Sequence, residues 1–184
     1  MTGGQFDYGL LRSVGAGVFI SAAVEIRRPN LVSVGSHVAV DSGFYCTVVA
    51  ELGDYIHVGP YVTAIGGEGS ALSMSHFTTI GAGSRLVCGS DEFLGHGLVG
   101  SAVPDAYRDN VHLSTVALAM FASLGTNVVV HPGVTLAQGS VVGSCSLVVQ
   151  DTEPWTIYHG IPARPVCERP REKMIAAAKA LGYL

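Results

Sequence analysis

The chain has 184 residues, 48% of them hydrophobic and 13% charged, enough for one well-buried core and too few to require two. Its formal net charge of −4 and its 10 scattered basic residues give no stripe of Lys and Arg able to neutralise phosphates along a duplex, which argues against nucleic acid as a partner. Mean hydropathy is +0.42, yet no stretch approaches the ~18 uninterrupted apolar residues of a membrane span, and MTGGQFDYG lacks the basic and apolar segments of an export signal, so a cytoplasmic protein is expected.

Internal repetition organises the chain. Apolar residues recur at every sixth position at Val14, Ile20 and Ile26, then at Val34, Val40, Cys46, Leu52, Val58 and Ala64, at Ile80 and Leu86, and again from Leu118 through Leu124, Val130, Leu136 and Val142 to Val148. Glycine often follows the apolar residue (Gly15, Gly35, Gly53, Gly59, Gly81, Gly125, Gly143), and a small or β-branched residue stands four positions on (Val24, Val38, Ala50, Val62, Ser84, Val128, Val134, Ser140). A parallel β-helix explains this period: each hexad supplies one short strand and a tight corner, the apolar residue points into a narrow prism, and three hexads close one coil. A β-sandwich would need period-two alternation with turn signals every 8 to 12 residues, which the sequence does not show. One all-β solenoid domain is therefore expected over 1–184, with coils over about 14–153: one coil at 14–31, two at 34–69, one at about 72–91 and two at 118–153.

The period breaks twice. Gly66 to Ser75 is a Gly/Ser-rich excursion, read as no more than a corner. The stretch 92–114 carries Glu92, His96, Asp105, Tyr107, Arg108, Asp109 and His112 after a scaffold almost empty of charge, and a polar loop on a rigid solenoid is a natural functional element. After the coils, 154–184 forms a closing turn and a short helix, with Pro170 at its first position and Met174, Ile175, Ala178 and Leu181 on one apolar face; it is expected to cap the open end of the prism. Cys46, Cys88, Cys145 and Cys167 have no paired C-x-x-C spacing and read as reduced thiols.

The segment from Leu124 to Arg169, LGTNVVVHPGVTLAQGSVVGSCSLVVQDTEPWTIYHGIPARPVCER, resembles the C-terminal coils of the hexapeptide-repeat acyltransferases, such as the galactoside and maltose O-acetyltransferases. The resemblance is most specific at Asp151, Pro154, Trp155 and the closing turn Gly160 to Arg164. Ser90 to Phe93, followed by Val103, Pro104 and Tyr107, also looks like the loop of galactoside or polysaccharide O-acetyltransferases. The resemblance implies a left-handed parallel β-helix, acetyl-CoA as cosubstrate, and a homotrimer with its sites in clefts between neighbouring prisms. It places the pantetheine amides on Thr126 and Ser144 beside Gly125 and Gly143, and a phosphate of coenzyme A on Arg164 with Arg169 or Arg171. Relatives carry Thr-Lys where this chain has Val149 and Gln150, which moves the cationic contact onto the arginines. Trp155 and Tyr158 are candidates to stack on adenine.

Acyl transfer from a thioester to a hydroxyl needs a base as the proton leaves, and His suits neutral pH. His96 is expected as that base because it lies in the charged insertion where relatives keep their catalytic histidine, with Asp91 or Glu92 orienting its imidazole and His76 in reserve. Backbone amides of corner glycines would stabilise the oxyanion, and Asp105, Tyr107 and Arg108 would contact the sugar. The expected reaction is O-acetylation of a sugar in cell-surface polysaccharide or glycoside metabolism, without a required metal. N-acetylation of a nucleotide-linked amino sugar is the first alternative. A γ-class carbonic anhydrase is another, but no two histidines stand five apart as its zinc ligands would require. A non-catalytic β-helix is the last, and predicts an inert 92–114 loop.

Overall fold

In the computed structural model, which describes residues 4–184, the hexads wind into a three-sided parallel β-helix. The first face stacks Ser13–Val14, Val32–Val34, Val49–Leu52, Ala71–Met74, Thr115–Leu118 and Thr135–Leu136. The second stacks Phe19–Ile20, Ala39–Val40, His57–Val58, Thr79–Ile80, Ser123–Leu124, Val141–Val142 and Thr156–Gly160, edged by the antiparallel strand Ala163–Glu168. The third stacks Glu25–Ile26, Tyr45–Cys46, Thr63–Ile65, Arg85–Val87, Val129–Val130 and Leu147–Val148. The coils follow the six-residue period, and Thr156–Gly160 adds one more rung to the second face beyond the expected end at 153.

The register shows why the period works. Along the second face Val40, Val58, Ile80, Leu124, Val142 and Tyr158 are paired rung to rung, and along the third Cys46, Ala64, Leu86, Val130 and Val148. A strand of two or three residues cannot hold itself, so each coil depends on the apolar residue stacked above and below it. All twelve residues of the two long hexad runs are buried, and so are most of the small residues four positions on. Ser84 is buried without cost because its hydroxyl donates to Gly125 O at 2.9 Å and accepts from Val128 N at 3.1 Å, tying neighbouring coils. Cys46 and Cys88 lie inside the prism, where burial pushes their thiols up to about 11 and about 12.

The corner between the first and second faces carries a ladder of aromatic rings. His37, Tyr55, Phe77 and Phe121 occupy left-handed backbone at φ of 58°, 56°, 59° and 67°, a conformation costing such residues about 1–2 kcal/mol each. Their rings stack coil over coil at 4.7, 5.2 and 5.5 Å between centroids, and Trp155 continues the column 5.6 Å from Phe121. These contacts offset the backbone cost. The C-terminal helix, Glu172–Ala180, packs on this ladder through Met174, Ile175 and Ala178, with Tyr183 beyond it. It therefore lies along the side of the prism, not across its open end, because the apolar surface that can bury its stripe is the aromatic column. Pro170 precedes the helix, and Leu181 stays exposed. Among the described residues no helix is long and apolar enough to cross a membrane.

Candidate active site

Of the excursion expected over Gly66 to Ser75, only 66–70 is a corner between the third and first faces, since Ala71–Met74 is already a strand of the first face, and the longer insertion leaves the solenoid at the equivalent corner of the following coil. It starts three residues earlier than its charge suggests. Gly89–Asp91 pairs antiparallel with Val111–Leu113, and Ser114 N closes the base on Cys88 O at 2.8 Å. The Leu113 side chain seats this hairpin over glycine: a Cβ on Gly89 would come within 2.8 Å of Leu113 Cδ2 and 2.9 Å of Gly66 Cα.

The predicted catalytic set separates. His96 Nδ1 lies 3.2 Å from the Asn110 amide nitrogen, which also donates to Glu92 Oε2 at 3.3 Å. Because Glu92 can only accept, that nitrogen is the donor, and His96 Nδ1 accepts from it; the neutral imidazole then carries its proton on Nε2. Glu92 Oε2 and Asp109 Oδ1 each stand 3.8 Å from Nδ1. The Asp109 side chain is wholly buried, with Oδ1 accepting from Asn110 N at 2.8 Å and Oδ2 lacking a partner among the described residues. The sequence offers Asp109 only as one of the charges of the insertion and does not point to Asn110, since only the hairpin pairing carries them back to His96.

Asp91 does not orient His96. It lines a groove of about 590 Å³ with Ser90, Gly66, Gly67, Val111, Arg108 from the insertion, and Arg27, Arg28 and Tyr45 from the first two coils. Among the described residues Asp91 forms no ion pair. Of the predicted sugar contacts, Arg108 faces this groove, while Asp105 and Tyr107 form an exposed turn at its edge, Asp105 Oδ1 lying 3.2 Å from Arg108 Nη2. His76 belongs elsewhere, at the corner between the first and second faces, where its Nδ1 accepts from Asp54 N at 2.9 Å and its ring meets Tyr183.

Of the residues expected to hold coenzyme A, Gly125, Thr126, Gly143 and Ser144 stack at the corner between the second and third faces, with Thr126 N donating to Ser144 Oγ at 3.1 Å. The His159 imidazole lies over Gly143. Arg164 is exposed and lines a groove of about 490 Å³ with Val148, Val149, Gln150 and Asp151. Arg169 is committed elsewhere: its Nη1 donates to Phe121 O at 2.9 Å and Gly139 O at 3.0 Å, and burial lowers its pKa, so it braces the aromatic corner and is not the expected phosphate contact. Trp155 and Tyr158 are largely buried as well, Tyr158 Oη accepting from Glu153 N at 2.7 Å, and each shows only an edge to a neighbouring groove.

Over 166 residues, 88% of this chain and 84% of the relative, the sequence is 30% identical to a dTDP-4-amino-4,6-dideoxy-D-glucose acyltransferase of Escherichia coli. The chain belongs to the hexapeptide-repeat acyltransferase family. No family model matches it. The acyltransferase superposes on AntD, an N-acyltransferase from Bacillus cereus solved in complex with dTDP and 3-hydroxybutyryl-CoA, with a TM-score of 0.90 at 27% identity and 98% of each chain covered, which gives the solenoid its left hand. A galactoside O-acetyltransferase of Escherichia coli K12 is 40% identical over 45 residues, 24% of this acyltransferase and 22% of the relative. Among the described residues no group of three His, Cys, Asp or Glu side chains is placed to hold a metal ion.

Proposed function

We propose that this acyltransferase moves an acyl group, acetyl in the simplest case, from coenzyme A to the amine of a nucleotide-linked amino sugar. The observation that carries the reading is the division of the insertion: the imidazole expected to act as base is turned onto Asn110, and the acidic group in the open groove is Asp91. A sugar hydroxyl must lose its proton as it attacks, which calls for a base of imidazole strength. A neutral amine attacks unaided and needs only an acceptor for the proton it sheds afterwards, a task within reach of a carboxylate. The 30% identity over 166 residues to a dTDP-amino-sugar acyltransferase supports the same choice over O-acetylation.

In this mechanism the amine nitrogen attacks the thioester carbonyl, a backbone amide at a coil corner steadies the oxyanion, and the C–S bond breaks. The amine proton passes to Asp91 and leaves with the coenzyme A thiolate. Thr126, Ser144 and Arg164 hold the coenzyme A arm, Arg108 steers the sugar, and His96 with Glu92, Asn110 and Asp109 stiffens the insertion. The acyltransferase works in the cytoplasm as one domain over 1–184, assembled as a homotrimer with its sites between neighbours.

The test is thiol release from acetyl-CoA and 3-hydroxybutyryl-CoA against dTDP- and UDP-linked amino sugars and simple glycosides. Turnover of a nucleotide-linked amino sugar that is lost in Asp91→Asn and kept in His96→Ala supports the reading. Turnover confined to glycosides and lost in His96→Ala restores O-acetylation.

A further inference from the structure

Ten basic residues serve the whole chain, and three of them converge on one groove although they lie about eighty positions apart in sequence. Arg27 and Arg28 leave the first coil just after strand Glu25–Ile26. Arg27 Cζ sits 5.3 Å over the Tyr45 ring and its Nε is 3.0 Å from Glu25 Oε1. Arg28 Nη1 donates to Thr47 O at 2.8 Å, which aims the guanidinium along the corner, and its Nε stands 3.7 Å from Glu68 Oε2. Arg108 reaches the same groove from the insertion, 3.2 Å from Asp105. The partner carboxylates are largely exposed, 61% for Glu25, 75% for Glu68 and 89% for Asp105, so each pair is screened by water and yields its arginine readily to a stronger anion.

Asp91, without an ion-pair partner among the described residues, shares the groove. The cavity therefore holds three guanidiniums and one free carboxylate. That pattern complements a ligand bearing two phosphates at one end and an amine at the other. Guanidinium forks suit phosphate oxygens better than ammonium groups do, which fits three arginines and no lysine here.

We infer that Arg27, Arg28 and Arg108 form the diphosphate subsite of the acceptor, gripping the phosphates of a nucleoside diphosphate sugar while its amine lies against Asp91. The inference rests on the proposed function and assigns the acceptor's anchor within that site. Arg27 and Arg28 bind from the fixed scaffold and Arg108 closes from the insertion, so phosphate binding also positions the insertion over the sugar.

The experiment is calorimetric titration of the full chain with dTDP, dTMP and inorganic pyrophosphate, with the variants Arg27→Gln/Arg28→Gln and Arg108→Gln, and Arg12→Gln as a charge control outside the groove. Circular dichroism confirms that each variant is folded. Binding of dTDP is expected to weaken at least about ten-fold in both groove variants, with dTMP weaker than dTDP in the wild type and Arg12→Gln unchanged; loss of one charge-assisted contact is of that size. No dTDP binding by the wild type, or equal binding by the folded groove variants, overturns the inference. Turnover measured alongside separates the two ideas. Acylation of a dTDP-amino sugar with the same KM in wild type and groove variants sinks the subsite and leaves the function standing. Arginine-dependent dTDP binding without turnover of any nucleotide-linked amino sugar sinks the function and leaves the subsite.

Discussion

Tyr183 Oη donates to Asp54 Oδ2 at 2.7 Å, joining the last residues of the chain to a corner 129 positions earlier. The same carboxylate accepts from Ser36 N at 2.6 Å through Oδ1, so Asp54 ties two coils and the C-terminal segment together. The Ser36 amide, then the Tyr183 hydroxyl, hold its carboxyl below the usual range, and the bond to Asp54 pushes the Tyr183 phenol up to about 12. A carboxyl with a lowered folded value adds stability above its unfolded value of about 4 that is lost as pH falls through the lower folded one. A phenol with a raised folded value adds stability that is complete below about 10 and lost as pH climbs towards about 12. Tyr183→Phe is expected to lower Tm by a few degrees between pH 5 and 9, with the gap to wild type closing at both extremes. Melting curves across pH check it, and a gap independent of pH would deny the bond its role.

This contact also marks where sequence reading stops. The solenoid was legible because its core repeats every six residues, and each of the twelve apolar positions is buried. The aromatic ladder has no such signature. Tyr55 and Phe77 are 22 residues apart and Phe77 and Phe121 are 44 apart, since two corners of different length intervene, and so the surface that receives the helix could not be seen. The site divides in the same way. The insertion announced itself by charge, but the neighbours of His96 are fixed by the antiparallel pairing of Asp91 with Val111, and Arg27 and Arg28 reach the groove only because the coil count brings the first coil under the fourth. Arg169 misled because a cation after the last coil fits a phosphate and a pair of orphan carbonyls equally well.

Leu86 is fully buried on strand Arg85–Val87, paired with Ala64 below and Val130 above, in the coil that carries the insertion. Leu86→Ala removes three heavy atoms from a prism too narrow to collapse around the gap. A loss of about 2–5 kcal/mol is expected. Urea unfolding checks it through a lower midpoint at an unchanged slope; a loss well under 1 kcal/mol would mean that the prism relaxes far more than its stacked registers allow.

Gly89→Ala tests how the insertion is seated. The added methyl meets Leu113 on one side and the Gly66 backbone on the other, and the backbone cannot give way, so the hairpin must lift from the corner. Asp91 and Arg108 move with it while the coils stay intact. The expected result is a KM for the acceptor raised several-fold or more, unchanged affinity for acetyl-CoA and a nearly unchanged Tm. An acceptor KM equal to wild type would show that the hairpin does not set the groove.

Arg164 and Arg169 share a charge and a neighbourhood, and their surroundings differ. Arg164 is exposed in the groove beside Val149 and Gln150, and among the described residues it donates only to the adjacent Ala163 carbonyl, at 3.3 Å. Arg169 donates to carbonyls on two coils. Arg169→Ala strands two acceptors under the aromatic corner and is expected to cost ~2 kcal/mol of stability, with coenzyme A affinity unchanged. Arg164→Gln is expected to do the reverse, leaving Tm in place and weakening coenzyme A about ten-fold, the size of one charge-assisted phosphate contact. Salt sharpens the comparison, because an exposed phosphate contact is screened and a buried brace much less so. Raising ionic strength should therefore erode the gap in affinity between wild type and Arg164→Gln while the stability deficit of Arg169→Ala persists. If instead Arg169→Ala lost coenzyme A affinity at full stability, the assignment of the two arginines would be reversed.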